Sequence, residues 1–330
     1  MYWKRLEANL RPTMVYDTFW RFAAERQKIL AKRLRGSSLP WSDDQILLQY
    51  RFTNVYRASD RVSQYLIRNV IYRDDPSPQD LLFRILIFKF FNRIETWELL
   101  KANGIVLHFQ EFDWGGASAI LEREIRARRS IYSGAYIMPP GPNSGRKNLK
   151  HVSHLDIIRK MAHSDLVNRL MDAPSMADAY SLLRHYPLMG PFLAYQLVTD
   201  INYSRLTSFD EMHFTVAGPG ARSGIQKCFS RRDGVSDEDI IKLVTERQAK
   251  EFKSRGLLFT SLWGRPLQLI DVQNLFCEVD KYSRVKHPNI LGLGERNRIK
   301  RRFTPRSQIL EMWLPPKWGL NERIKERPYL

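Results

Sequence analysis

Residues 185–229 run HYPLMGPFLAYQLVTDINYSRLTSFDEMHFTVAGPGARSGIQKCF. Pro187-Leu188-Met189-Gly190-Pro191 is a tight, glycine-containing turn, and Phe192, Leu193, Leu197 and Val198 follow at helical spacing. The preceding MADAYSLLR, residues 176–184, supplies a first helical arm, so the pattern predicts a helix-hairpin-helix unit. Such a turn can hold a phosphate, because the first N–H groups of a helix lack intrahelical partners and the helix dipole favours an anion there. A DNA backbone is the expected ligand, with Met189 and Gly190 at the contact. The same residues would also suit an αα-hairpin that only packs a core.

Charge and composition point the same way. The chain has 330 residues with a formal net charge of +18, from 53 Lys and Arg against 35 Asp and Glu, and 43% of its residues are hydrophobic. That is enough apolar side chain for a real core without metal or disulfide support, and the charge balance suits a polyanionic partner. Cys228 and Cys277 lie too far apart for a CxxC pair, so buried thiols in a reducing compartment are expected. Charges interrupt the most apolar window, residues 81–100, and the N-terminus lacks the apolar run of a signal peptide. A soluble, cytoplasmic monomer that does not engage membranes is the expectation.

Metal and cofactor motifs are absent from the sequence. His151 and His154 form an HxxH without a further ligand at zinc spacing, and there is no GxxxxGK[ST] phosphate loop, GxSxG elbow or HxE…PCxxC deaminase signature. Neither metal nor cofactor is expected.

Most of the remaining chain has helical periodicity. Residues 1–35 carry apolar positions at helical intervals and end at Gly36-Ser37-Ser38-Leu39-Pro40. The helix expected over 79–91, after Pro78, is apolar nearly all round and therefore central, yet it ends in Lys89 and Asn92, polar groups that need partners. A later helix carries Asp271, Asn274 and Glu278 along one side, three and four residues apart. The 139–150 segment, PPGPNSGRKNLK, is loop by composition and basic enough to meet phosphates. The last fifty residues, with Arg296, Arg298, Lys300, Arg301 and Arg302, suggest a basic arm that Trp313 and Trp318 would dock.

Six passages carry a resemblance: RFTNVYRASDRVSQYL (51–66), LLFRILIFKFFNRIETWELL (81–100), IYSGAYIM (131–138), YPLMGPFLAYQLVTDINYS (186–204), VAGPGARSGIQKCF (216–229) and DVQNLFCEVDKYSR (271–284). Together they resemble the α-glutamyl/putrescinyl thymine pyrophosphorylase family, which is similar to the helical domain of 5-hydroxymethyluracil DNA kinases. The resemblance implies an all-α, helix-hairpin-helix glycosylase-like domain over 45–290, flanked by an N-terminal helical extension (1–44) and a basic C-terminal arm (291–330). It implies action on hypermodified pyrimidines in double-stranded DNA, chiefly phage DNA, either by modifying the base or by excising it as antiviral defence.

In helix-hairpin-helix glycosylases an acidic residue just before the helix that follows the hairpin does the chemistry. Here Ala217-Gly218-Pro219-Gly220 holds that place, so the acid is expected from Asp200, Asp210, Glu211 or Asp271. A flipped base would be met by Asn92, Tyr195, Gln196, Asn202, Tyr203, Asn274 and Glu278. The backbone would be met by Tyr56, Arg57, Lys89, Met189, Gly190, Gly220, Arg222 and Lys227. The principal expectation is a DNA glycosylase that stabilises a sugar cation with a carboxylate after base flipping. The absence of a kinase domain beside the helical one favours that reading. The alternatives are an enzyme displacing pyrophosphate from activated 5-hydroxymethyluracil in DNA, and a non-catalytic DNA-binding module.

Overall fold

The computed structural model describes residues 9–134, 138–140, 149–294, 297–305 and 311–327. Most of the proline- and glycine-rich loop expected at 139–150, together with Tyr136 and Arg296, lies outside the described residues. The described chain is predominantly α-helical, with a single two-stranded sheet. It divides into a terminal unit, residues 1–60 with 211–330, and a middle unit, residues 61–210.

The terminal unit opens with strand β1 (Leu10–Pro12), helix α1 (Met14–Leu34), helix α2 (Gln45–Gln49) and a 3-10 turn at Arg57–Ser59. Helix α1 starts at Met14 because Pro12 precedes Thr13, whose hydroxyl caps the helix by accepting from the Val15 amide. Asp44 caps α2 in the same way, from the amides of Ile46 and Leu47.

The middle unit holds α3 (Arg61–Tyr65), which continues as a π-helical turn, then α4 (Pro78–Phe91), α5 (Ile94–Ala102), α6 (Trp114–Arg126), α7 (Lys150–His163), α8 (Leu166–Met171), α9 (Met176–Arg184) and α10 (Pro191–Ile201). Helix α4 is the core of this unit, as its all-round apolar sequence predicts: Leu81, Phe83, Ile85, Leu86, Phe88 and Phe90 are buried, and α5, α7, α8 and α10 pack around it. Ser77 and Pro78 start it, and Asn92 ends it in the left-handed region at φ 47°. Helices α9 and α10 form the expected hairpin, with Leu188 at φ 67° in the turn.

The chain then returns to the terminal unit with α11 (Pro219–Cys228), strand β2 (Phe229–Arg232), α12 (Asp237–Ser254), α13 (Leu269–Lys286) and α14 (Asn321–Glu326). Strand β2 pairs antiparallel with β1. Helix α13 is the centre of this unit and packs against α1, α11 and α12. Its approach to α11 is close because Gly220 and Gly224, one turn apart, present no side chain. A Cβ on Gly220 would lie 2.3 Å from Cys277 Sγ, and one on Gly224 would lie 2.0 Å from the Phe276 carbonyl oxygen.

Gly224→Ala should therefore cost about 1–3 kcal/mol or more, since the clashing atom is backbone and cannot rotate away. Gly190→Ala, where a Cβ meets nothing within 4 Å, should change stability by less than about 1 kcal/mol. Urea unfolding of the two variants beside the wild type measures both.

Candidate functional site

The N-terminus of α13 gathers the charged groups of the terminal unit. Asp271 is the third residue of that helix, and its carboxylate closes a capping box by accepting from the Gln268 amide at 3.0 Å. Its other oxygen accepts from the Arg57 amide at 2.8 Å, which fixes the 57–59 turn over the helix start. Burial pushes this carboxyl up to about 6, against the opposing pull of the Gln268 and Arg57 amides and of the Arg265 and Arg57 charges.

Glu211 belongs to the same cluster. Its Oε1 accepts from Arg265 Nη2 at 3.0 Å, and the side chain is buried. Burial raises it to about 7. Arg265, Lys317 and Arg57 pull in the opposite direction, and the Asp271 charge adds to the rise. A carboxyl poised near neutrality beside fixed cations can accept or release a proton under ordinary conditions. Arg265 is itself held in place: its guanidinium Cζ lies over the Trp318 ring at 4.0 Å from the centroid, and Tyr56 Oη donates to the Arg265 backbone carbonyl at 2.8 Å.

A third carboxyl, the half-buried Asp60, accepts from the Asn54 amide at 2.8 Å and is raised to about 7 by desolvation. Asn54 also accepts from Arg26, whose guanidinium burial lowers to about 10. Glu278 accepts from the Thr53 amide at 3.0 Å and pairs with Lys281. These contacts bind the 52–60 segment to α1 and α13.

The middle unit has its own ion pair. Asp200, fully buried on α10, lies 2.8 Å from Lys89 Nζ on α4, and that ammonium also donates to Asn92 Oδ1 at 2.9 Å. The two polar residues at the end of the apolar helix thus have the partners that the sequence required. Lys89 lines a shallow cleft with Phe90, Met138, Met189, Leu193, Gln196 and Leu197.

The expected site residues fall into these two sets. Glu211, Asp271, Tyr56 and Arg57 meet in the terminal unit, with Glu278 further along α13 and bonded to the Thr53 amide. Asp200, Lys89, Asn92, Met189 and Gln196 meet in the middle unit. Others stand elsewhere. Asn202 is buried and clamps its own loop, its Oδ1 accepting from Thr207 and the Phe209 amide. Tyr195 and Tyr203 are buried, and the Tyr203 carbonyl accepts from Tyr72. Lys227 is buried with its ammonium 3.1 Å from Asp280, while Gly220 faces Cys277 across a helix contact. Arg222 is exposed and donates to the Ala217 carbonyl. Asp210 is exposed and Asn274 half-buried. In the turn, the Met189 amide donates to Tyr186 and the Gly190 amide to Leu188, so both are engaged within the turn itself. Arg265, Asp60 and Lys317 were missed. Arg265 and Lys317 lie far from Glu211 along the chain, and no spacing rule joins them to it.

A predominantly helical, strongly basic chain with a buried acid–base cluster is thus defined. It belongs to the family of the helical domain of 5-hmdU DNA kinases, whose profile matches residues 13–292. That match takes in α1, which the sequence passages had left outside the resemblance. The chain is 28% identical over 290 residues to the 5-hmdU DNA kinase of Bacillus phage SP10, covering 81% of this chain and 45% of the relative. The chain therefore spans somewhat less than half the length of the curated relative it matches. No solved structure matches it. Among the described residues no helix is long and apolar enough to cross a membrane, and no group of three or more His, Cys, Asp or Glu is placed to hold a metal ion.

Two outcomes follow from the ion pairs. Asp200→Ala, which removes the carboxylate from the buried Lys89 ammonium, should cost about 3–5 kcal/mol in urea unfolding. For Glu211 the sign comes from its raised value. Below 4.5 the carboxyl is protonated in folded and unfolded chains alike; as pH rises from there through about 7 the unfolded chain sheds its proton first, and the stability is lost. Glu211→Gln lacks that loss. Its melting temperature relative to wild type should climb by several degrees between about pH 5 and about pH 8, and a flat difference would contradict the buried, near-neutral carboxyl.

Proposed function

We propose that the chain is a DNA base-modifying enzyme that acts on activated 5-hydroxymethyluracil in DNA, replacing a pyrophosphate on its methylene with an amine-bearing group. The relative is named for phosphorylation of the same nucleoside in DNA. A phosphorylated hydroxymethyl group is a substrate for displacement, because phosphorylation turns a poor leaving group into a good one. The observation that carries the reading is Glu211, a buried carboxyl near neutrality beside Arg265.

In this reading the bond from the methylene carbon to the pyrophosphate oxygen breaks and its electron pair leaves with the pyrophosphate. The bond to the incoming nitrogen forms, and the proton lost from the amine passes to Glu211. Arg57 and Arg265 supply fixed positive charge where the leaving anion develops. Asp271 keeps the Arg57 turn in place and acts through it. The net positive charge of the chain supports double-stranded DNA as the partner, and the cleft at Lys89, Met189 and Gln196 is the proposed contact of the middle unit with it.

Excision of a modified pyrimidine is the second reading, and the same carboxylate would serve it by stabilising the sugar cation. Products separate the two. A duplex carrying 5-(pyrophosphoryloxymethyl)uracil, incubated with amino acids and a polyamine, should yield a heavier nucleoside and free pyrophosphate. Free base and alkali-labile strands would establish excision instead, and unchanged DNA would refute both. Glu211→Gln should lower the rate by about 10²–10⁴-fold. The wild-type rate should rise with pH and level off above about 7, as Glu211 loses its proton.

A further inference from the structure

Residues 297–305 lie beyond the family profile, which ends at 292, and belong to the basic arm that the sequence predicts. Their backbone is fastened to the terminal unit at two places. The Arg51 amide donates to the Arg301 carbonyl at 3.0 Å and the Phe303 amide to the Gln49 carbonyl at 2.9 Å, on either side of an antiparallel bridge between Tyr50 and Arg302. Upstream, Arg284 Nη1 of α13 donates to the Arg298 carbonyl at 3.2 Å. Phe303 meets the Trp41 ring edge-on with 6.3 Å between centroids, and the Arg302 guanidinium carbon lies 4.9 Å from the centroid of the Tyr50 ring. Ile299 and Phe303 are half-buried, while Arg298, Lys300, Arg301 and Arg302 are exposed.

This arrangement sets a row of cations on a fixed backbone. The four stand within five consecutive positions, residues 296–310 contain no Asp or Glu, and the exposed Arg51 adds a further charge on the paired segment. Other exposed basic residues have acidic partners, as Arg126 has Glu122 and Lys325 has Glu322. Among the described residues no salt bridge joins Arg51, Arg298, Lys300 or Arg301 to a carboxylate, and Arg302 reaches only the neutral Gln49 side chain, at 3.4 Å. Like charges held this close repel one another, and a polyanion removes that repulsion while shedding its own counterions. Because the backbone is already fixed, binding has only the side chains left to order. Guanidinium groups offer planar forks of N–H donors that match phosphate oxygens, and a row of them along an extended chain suits a regularly repeated phosphate backbone better than an isolated anion.

We propose that Arg298, Lys300 and Arg301, with Arg51 and Arg302 beside them, form a fixed ridge on the terminal unit that holds the phosphate backbone of duplex DNA without reading its sequence. The ridge rests on duplex DNA being the partner, and it is independent of the reaction that follows binding.

Affinity of the full chain for a short unmodified duplex, measured by fluorescence anisotropy over a series of potassium chloride concentrations, tests it. The slope of log affinity against log salt should shrink by about two to three in Arg298→Ala/Lys300→Ala/Arg301→Ala, at about 0.9 for each lost phosphate contact. At about 0.1 M salt that variant should bind about tenfold or more weakly than wild type. Lys160→Ala/Arg169→Ala/Lys250→Ala removes the same charge from exposed positions elsewhere and should keep the wild-type slope to within about one. Arg298→Lys/Lys300→Arg/Arg301→Lys, which keeps the charge in place, should keep it too. An unchanged slope in the ridge variant, or an equal fall in the variant altered elsewhere, overturns the ridge and leaves duplex DNA as the partner. Phosphatidylserine vesicles that bind the wild type and not the ridge variant, with duplex affinity the same in both, overturn it in favour of a lipid surface. No duplex binding by the wild type at low salt overturns the DNA partner itself. Failure of the base-modifying reading appears instead as the absence of a heavier nucleoside, with duplex binding intact.

Discussion

Asp271 accepts the amide protons of Gln268 and Arg57, and each bond fixes a different part of the terminal unit. The first closes the start of α13, the helix around which α1, α11 and α12 are arranged. The second reaches across more than two hundred residues of sequence to hold the 57–59 turn, and so places Arg57 beside Glu211 and Arg265. A buried carboxylate that satisfies backbone donors at two ends is costly to remove, because both amides would be left without a partner. The position of the cluster follows from that one side chain.

The structure tolerates several other buried charges, each with identified partners. Lys227 meets Asp280, Lys89 meets Asp200, and Arg26 meets Asn54 and the carbonyl of Thr53. Pairs of this kind contribute little net stability compared with apolar residues of the same shape, but losing one member is expensive, so they enforce a single arrangement. Glu211 differs from them. Arg265 pairs with it, yet burial still holds its carboxyl near neutrality, which suits proton transfer better than it suits structure.

The glycines of α11 show how one residue type can be read two ways from sequence. Gly220 follows a proline at a helix start, which in isolation suggests a backbone open to phosphate. In the structure it faces Cys277, and Gly224 faces the backbone of Phe276, so the pair exists to let two helices touch. Gly190 is the opposite case: a Cβ there would meet nothing, and its φ of −60° is one that any residue can adopt. The spacing of glycines reveals neither outcome, since it carries no information about what lies opposite.

The amino-acid sequence by itself determined the local structure: the helical class, the buried α4 and its start at Pro78, the hairpin between α9 and α10, and the family through long ordered passages. These depend on periodicity and on neighbours within a few residues. Through the family resemblance it also marked Asp200, Asp210, Glu211 and Asp271 as candidate acids, and it required partners for Lys89 and Asn92 at the end of an apolar helix. Only the tertiary structure decided which partners they have. Glu211 with Arg265, Asp271 with Arg57, Asp200 with Lys89 and Trp318 with Arg265 all join residues distant in the chain, and side-chain pairing at that range is set by packing, for which linear spacing holds no rule.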